Sequence, residues 1–317
     1  MLIHFLLIIG GFVLLAVGAD ALIRGSVRVS LRFGISPLII GLTVVAFGTS
    51  TPELFVSVKA NLQNSGDIAI GNIVGSNIFN IAVILGLAAL IQPIRIKSQL
   101  IMQDIPVMIG ASLLFFAMAR DQTITRAEGL VLFALLIGYL LLNVRMAKRG
   151  GEQELAEEIE HHIPRARGNL IADLTWIVGG IVLLVGGSHL LVKGATSLAK
   201  AVGVSEAIIG LTIVAAGTGL PELATSMVAA IKKESDLAIG NVIGSNIFNL
   251  LCIGGLSSIV SPLRAPDIEQ TDLLAMALLA VVLLPMSWTS MRLGRREAVM
   301  LLASYGAYLY YIWPHAH

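Results

Sequence analysis

The sequence is short of charge and nearly devoid of cysteine. Asp, Glu, Lys and Arg make up 13% of its 317 residues, against roughly 25% in an average soluble domain. That shortage is hard to reconcile with an ordinary cytosolic enzyme. Lys and Arg number 21 and Asp and Glu 20, a net charge of +1, so nothing is offered to nucleic acid. The single cysteine, Cys252, excludes an intramolecular disulfide and a Cys-x-x-Cys metal site. His4, His161, His162, His315 and His317 lie at the termini or in one polar segment and form no cluster. What is abundant is apolar: 56% of residues are hydrophobic types. These figures exclude a disulfide scaffold, a disordered chain and a basic nucleic-acid binder, and leave a polytopic membrane protein.

A membrane helix needs about 20 mostly apolar residues. Ten such stretches are expected, at about 2–23, 37–59, 68–91, 102–119, 126–146, 169–192, 206–231, 237–260, 271–290 and 296–313. Residues 147–168 form the one hydrophilic segment, read as a solvated, partly helical linker. Ala19-Asp20-Ala21 resembles a signal-peptide cleavage site, but no basic region precedes it and the segment recurs later, so residues 2–23 are read as the first span. Loops after odd-numbered spans carry 15 of the 21 Lys and Arg, and loops after even-numbered spans carry 6. The positive-inside rule then makes the odd loops cytoplasmic and leaves both termini outside. Tyr308, Tyr310, Tyr311 and Trp313 fit an interfacial aromatic belt.

The two halves match at a constant offset of 169, from Gly10-Gly11/Gly179-Gly180 to Pro93/Pro262. Residues 39–58 (IIGLTVVAFGTSTPELFVSV) and 208–227 (IIGLTIVAAGTGLPELATSM) are identical at 13 of 20 positions. Residues 66–81 and 235–250 are identical at 11 of 16. Five spans per half, an odd number, start the second half on the opposite side of the membrane. The expected fold is therefore an all-α integral membrane protein of ten transmembrane helices in two inverted five-helix repeats, residues 1–146 and 169–317. Their most similar parts span about 39–91 and 208–260. Inverted repeats are typical of secondary transporters, which bind substrate at the midplane where discontinuous helices meet.

Glu53 and Glu222 are carboxylates deep in apolar spans, and by default such groups mark an ion or proton pathway. Pro52 and Pro221 precede them and leave the carbonyls of Gly48 and Gly217 without a helical donor. Freed carbonyls beside a carboxylate are hard oxygen ligands. Thr49, Glu53 and Ser57 share a face at i, i+4, i+8, as do Thr218, Glu222 and Ser226. Asn72, Ser76 and Asn80 form a second stripe, mirrored by Asn241, Ser245 and Asn249. Small and amide residues also simply pack helices. For Asn72, Asn241, Ser57, Ser226, Asn77 and Asn246 both readings stand, whereas Ser76, Ser245, Asn80 and Asn249 are expected to ligate. Two carboxylates among neutral oxygens suit a hard cation, not zinc or copper. They balance one Ca²⁺ or most of the charge of two or three Na⁺, which is what exchange requires. Asp20 and His189, at equivalent positions near span ends, are read as interfacial or structural.

GTSTPE…GNIVGSNIFN and GTGLPE…GNVIGSNIFN resemble the two alpha-repeats of the sodium/calcium exchanger family, within the cation/calcium antiporter superfamily. The resemblance covers essentially the whole chain and is closest to compact prokaryotic members without a large regulatory loop. It implies alternating access, with helices one and six sliding as a gating pair against the other eight. It also implies metal ligands at Glu53, Glu222, Thr49, Ser50, Ser76, Asn80, Thr218 and Ser245, with backbone carbonyls near Ala46 and Ala215 completing the sodium sites. Gly219 departs from the pattern by lacking the hydroxyl of its counterpart Ser50. Asn249 stands where some relatives carry aspartate, a residue tied to potassium use, so its absence argues against potassium dependence.

The function expected is Na⁺/Ca²⁺ exchange across a prokaryotic cytoplasmic membrane, electrogenic, with no cofactor. The partners are the two ions and the lipid bilayer, and closure of the repeats on each other suits a functional monomer. A proton-coupled Ca²⁺ antiporter on the same scaffold is the nearest alternative, and a passive cation channel is one of a different class. No nucleophile–base pair or metal triad in the spans suggests an enzyme.

Overall fold

The computed structural model describes residues 2–159, 169–201, 215–289 and 291–312. In chain order the helices are α1 (Leu2–Phe33), α2 (Pro37–Thr49), α3 (Thr51–Leu62), α4 (Gly66–Ile91), α5 (Leu100–Ala119) and α6 (Arg126–Ile159). Then follow α7 (Leu170–Ala201), α8 (Ala215–Thr218), α9 (Leu220–Ile231), α10 (Ser235–Val260), α11 (Gln270–Trp288) and α12 (Arg295–Ile312). By length and composition, seven are able to cross a membrane: α1, α4, α5, the Arg126–Met146 part of α6, α7, α10 and α11. The pair α2–α3, bent by 46° at Ser50, makes an eighth. Of the other two expected spans, 206–231 lies partly outside the described residues and leaves the 12-residue α9, and 296–313 corresponds to the 18-residue α12.

Charges did not end the helices where hydrophobicity did. α1 runs on through Arg24, Arg28 and Arg32 to Phe33, ten residues beyond the expected end, and stops only at Gly34, whose φ of 62° is the left-handed conformation that terminates helices. α6 continues through the start of the expected linker to Ile159; residues 160–168 lie outside the described residues.

α1 and α7 pack antiparallel along their whole length. The cause is a glycine seam with seven-residue spacing, Gly11, Gly18 and Gly25 on α1 and Gly180, Gly187 and Gly194 on α7. Seven residues are close to two helical turns, so each set lines one face. A Cβ on Gly18 would lie 2.8 Å from the Leu184 nitrogen, and one on Gly180 only 2.6 Å from the Leu22 nitrogen. The backbones thus touch, as small-residue interfaces in membranes permit. Arg32 fastens one end of the seam, its Nη2 donating to buried Asp173 at 2.7 Å. Asp20 pairs with Arg24 and with Lys232 in the turn after α9, so it is structural as expected, while His189 is exposed.

α10 is almost wholly enclosed and forms the centre. It crosses α2 at two glycines: a Cβ on Gly244 would meet the Leu42 carbonyl at 2.6 Å, and one on Gly240 the Leu38 carbonyl at 2.9 Å. Two antiparallel ribbons tie the span ends. β1 (Ile94–Arg95) pairs with β4 (Arg292–Leu293), and β2 (Thr123–Ile124) with β3 (Leu263–Arg264). Ile94, Ile124, Leu263 and Leu293 are fully buried and anchor them. Of the expected aromatic belt, Tyr310 and Tyr311 are exposed, Tyr308 instead turns inward to donate to Asp272 at 2.8 Å, and Trp313 lies outside the described residues.

Candidate cation site

Prolines set the site. Pro52 and Pro221 occupy the first turns of α3 and α9, positions that need no N–H. The residues just before α3 and α9, Ser50 (φ −82°, ψ 5°) and Gly219 (φ −79°, ψ 1°), break the helix in the same way in both halves. Each break puts a glutamate in a first helical turn, where the helix dipole favours negative charge. Glu53 and Glu222 are both buried, and they are close enough to repel each other electrostatically.

Around them runs a hydrogen-bond network that repeats at the offset of 169. Asn72 Nδ2 donates to Ser57 Oγ at 2.9 Å and to the Glu53 carbonyl at 3.3 Å. Asn241 Nδ2 does the same to Ser226 Oγ at 2.9 Å and the Glu222 carbonyl at 3.3 Å. The halves then cross. Thr49 Oγ1 donates to Asn241 Oδ1 at 3.0 Å, and Thr218 Oγ1 to Asn72 Oδ1 at 3.4 Å. Both ends of each asparagine therefore meet protein groups, and Asn72, Asn241, Ser57 and Ser226 tie the helices together.

The symmetry fails at Ser50. Its Oγ donates to Glu222 Oε1 at 2.9 Å, a bond that Gly219 cannot make to Glu53; the threonine bonds, Thr218 to Glu53 and Thr49 to Glu222, are kept in both halves. A second asymmetry lies behind the prolines. The Gly217 carbonyl accepts the Ser188 hydroxyl of α7 at 2.5 Å, whereas Gly48 lies against the Ile181 side chain. Ser188 escaped the sequence reading, although a hydroxyl where the first half has Ala19 was a visible signal.

The remaining expected ligands lie on the same elements. Asn80, Ser245 and Asn249 are buried, and Ser76 is half-buried one turn from Asn72 and Asn80. Asn80 Nδ2 donates to Asn246 Oδ1 at 3.2 Å. Ala46 is buried, and its carbonyl accepts the Ser50 N–H at 3.0 Å with the Thr49 hydroxyl 3.3 Å away. Ala215 opens α8, three residues before Thr218.

Several oxygens at the site have no hydrogen-bond partner in the protein, as do others away from it such as Ser26 Oγ and Ser287 Oγ. Glu53 Oε2, Glu222 Oε2, Ser245 Oγ and Asn249 Oδ1 are buried without a hydrogen-bond partner, as is Asn77 Oδ1. Buried polar atoms are nearly always partnered. Unpartnered carboxylate, hydroxyl and amide oxygens beside two like charges form a donor set for a hard, oxygen-seeking cation. Among the described residues no three His, Cys, Asp or Glu converge as they would in a transition-metal centre.

The profile of the family described as sodium/calcium exchanger protein matches residues 3–145 and 173–313. The chain belongs to this family. It is 36% identical to inner membrane protein YrbG of Escherichia coli over 99% of both chains, and 29% identical to sodium/calcium exchanger MaX1 of Methanosarcina acetivorans over 97% of both. A solved structure of the sodium-calcium exchanger NCX_Mj superposes with a TM-score of 0.85 at 29% identity, covering 98% of this chain and 99% of that one. The chain is thus a multi-pass membrane protein of an exchanger family, and that family is one of transporters, not enzymes.

Proposed function

We propose that the protein exchanges Na⁺ for Ca²⁺ by alternating access, binding either ion set at Glu53 and Glu222 with Thr49, Ser50, Ser76, Asn80, Thr218, Ser245 and Asn249 around them. The observation that carries this reading is the pair of buried carboxylates, brought together where Ser50 at the start of the Glu53 helix donates to Glu222, with unpartnered oxygens beside them. Enclosed negative charge without a cationic side chain favours a bound cation. Two carboxylates match one Ca²⁺ and fall short of three Na⁺, so the competing ion sets cannot both be held. Exchange of three Na⁺ for one Ca²⁺ moves one net charge, coupled to voltage at about 2.3 kcal/mol per 100 mV.

The reading includes ten transmembrane helices in two inverted repeats, with 160–168 completing the linker. It is supported by the antiparallel packing of α1 and α7, which are equivalent under the 169 offset, and by the mirrored Thr–Asn crossings. Both termini face outward from a prokaryotic cytoplasmic membrane, and the monomer is the functional unit. The glycine seam holds α1 and α7 as one body that moves against the rest.

The test is ⁴⁵Ca²⁺ uptake by proteoliposomes loaded with Na⁺ and diluted into Na⁺-free buffer. Uptake that requires internal Na⁺ and disappears in Glu53→Gln supports exchange. Uptake driven by a pH gradient without Na⁺ would replace it with proton coupling, and flux with no counter-ion gradient would make the protein a channel.

A further inference from the structure

Asn80 and Asn249 are equivalent expected ligands, yet the protein holds them differently. Asn80 on α4 donates its Nδ2 to Asn246 Oδ1 of α10 at 3.2 Å. Asn246 in turn donates its own Nδ2 to the Met108 sulfur of α5 at 3.5 Å. All three side chains are buried. The mirrored chain of bonds is not made. Asn77, the counterpart of Asn246, donates to the Ile73 carbonyl of its own helix at 2.7 Å, and its Oδ1 meets no donor. Asn249 Oδ1 is likewise without a partner.

The order of these atoms decides what the site receives. An amide has an accepting end and a donating end of similar size, so shape alone does not choose which one faces a neighbour. A thioether sulfur accepts and never donates. Asn246 therefore turns its nitrogen to Met108, which leaves its oxygen for Asn80. That oxygen takes only a donor, so Asn80 offers its nitrogen. The Asn80 oxygen is the end left over, and among the described residues no donor reaches it. A cation is bound by the oxygen end of an amide and repelled by the nitrogen end. The direction is thus set from α5, a helix that carries none of the expected ligands.

We propose that Asn246 and Met108 are positioning residues that present the Asn80 oxygen to Ca²⁺. This rests on the reading of Asn80 as a ligand of the proposed exchange site. Neither residue touches the ion; Asn246 orients the ligand and Met108 orients Asn246. Groups that fix the orientation of a metal ligand are worth about ten- to a hundredfold in metal affinity. Asn249 has no such chain behind it, so the two halves hold their asparagine ligands with unequal firmness.

Equilibrium binding of ⁴⁵Ca²⁺ to the purified full chain tests this, with melting temperatures taken alongside. Asn246→Leu, of nearly the same shape, removes both links and is expected to raise the Kd about tenfold. Met108→Leu keeps an apolar side chain of similar volume and is expected to raise it about threefold, as loss of one weak hydrogen bond does. In an Asn80→Ala background each should add less than about twofold, because the oxygen they position is gone. Asn61→Leu removes a buried asparagine that donates to the Ser257 and Ser261 carbonyls at 2.8 and 2.7 Å, so it should melt early yet bind Ca²⁺ as wild type does. If Asn246→Leu does not fold, Met108→Leu with and without Asn80→Ala decides. An unchanged Kd in the folded variants, an equal loss in the Asn80→Ala background, or a comparable loss in Asn61→Leu would overturn the positioning role. Asn80→Ala separates the two readings. If it binds Ca²⁺ as tightly as wild type, the ligand assignment falls and the positioning role with it; if it binds weakly while Asn246→Leu and Met108→Leu match wild type, the positioning role alone falls.

Discussion

Glu53→Gln removes one charge from the proposed site and nearly no volume, so its effect on ion binding can be worked out. Breaking a buried charge pair by removing one partner costs about 3–5 kcal/mol, or two to three and a half decades in affinity at about 1.4 kcal/mol per decade. Coulomb energy scales with ion charge, so a single Na⁺ should lose about half as much free energy as Ca²⁺. The Kd for Ca²⁺, measured by equilibrium binding of ⁴⁵Ca²⁺ to the purified variant, should rise at least about 100-fold. Glu222→Gln should lose Ca²⁺ affinity in the same way, because it too is a buried carboxylate, although its bond from Ser50 has no counterpart at Glu53.

Stability separates this role from a structural one. Glu53 Oε2 has no partner and its charge is repelled by Glu222. Without ions, neutralising it relieves the repulsion, so the ion-free variant should melt at the wild-type temperature or a few degrees above it. The extra stability that Ca²⁺ gives the wild type should be lost. A variant that melts well below wild type without ions, yet still binds Ca²⁺ within about threefold of wild-type affinity, would refute the reasoning and make Glu53 a structural carboxylate; a Kd shift of that size is under 1 kcal/mol.

Three more outcomes follow from the geometry. Gly180→Ala places a methyl group 2.6 Å from the Leu22 nitrogen and should cost about 1–3 kcal/mol as overpacking does, lowering the melting temperature and Ca²⁺ uptake together, whereas Gly179→Ala, with open space around its Cβ, should match wild type in both. Asn241→Ala removes the bonds to Ser226 Oγ, the Glu222 carbonyl and Thr49 and should destabilise the protein by about 1–3 kcal/mol, read as a lower melting temperature than that of Asn72→Ala, whose asparagine is only half-buried. Ser188→Ala leaves the Gly217 carbonyl without its 2.5 Å donor and should cost about 1 kcal/mol, visible by thermal melting of the purified protein.

Much of this molecule was legible in its sequence because the chain states its local chemistry twice. A proline is well placed in a first helical turn and poorly placed in a helix interior, so the breaks at Ser50 and Gly219 were suggested by GTSTPE and GTGLPE. Apolar length gave seven of the expected spans and the bent pair as an eighth, and the constant offset of 169 gave the equivalences that the Asn72 and Asn241 hydrogen bonds obey. Hydrophobicity did not give the true ends of α1, because arginines extend a helix readily and only Gly34 stops it.

Which oxygens are free for an ion was decided by the tertiary structure. Thr49 and Asn241 are 192 residues apart in the chain and 3.0 Å apart in space. That contact makes Asn241 a strut between the halves, and the Ser50 N–H takes one lone pair of the Ala46 carbonyl. The glycine seam was likewise present in the sequence as a seven-residue spacing, but only the partner helix shows that Gly18 and Gly180 touch backbone while Gly10 and Gly179 face open space. Local sequence fixes where a backbone can break and which atoms it offers. Whether an offered lone pair stays vacant depends on donors brought in from the other half of the chain, and only packing places those.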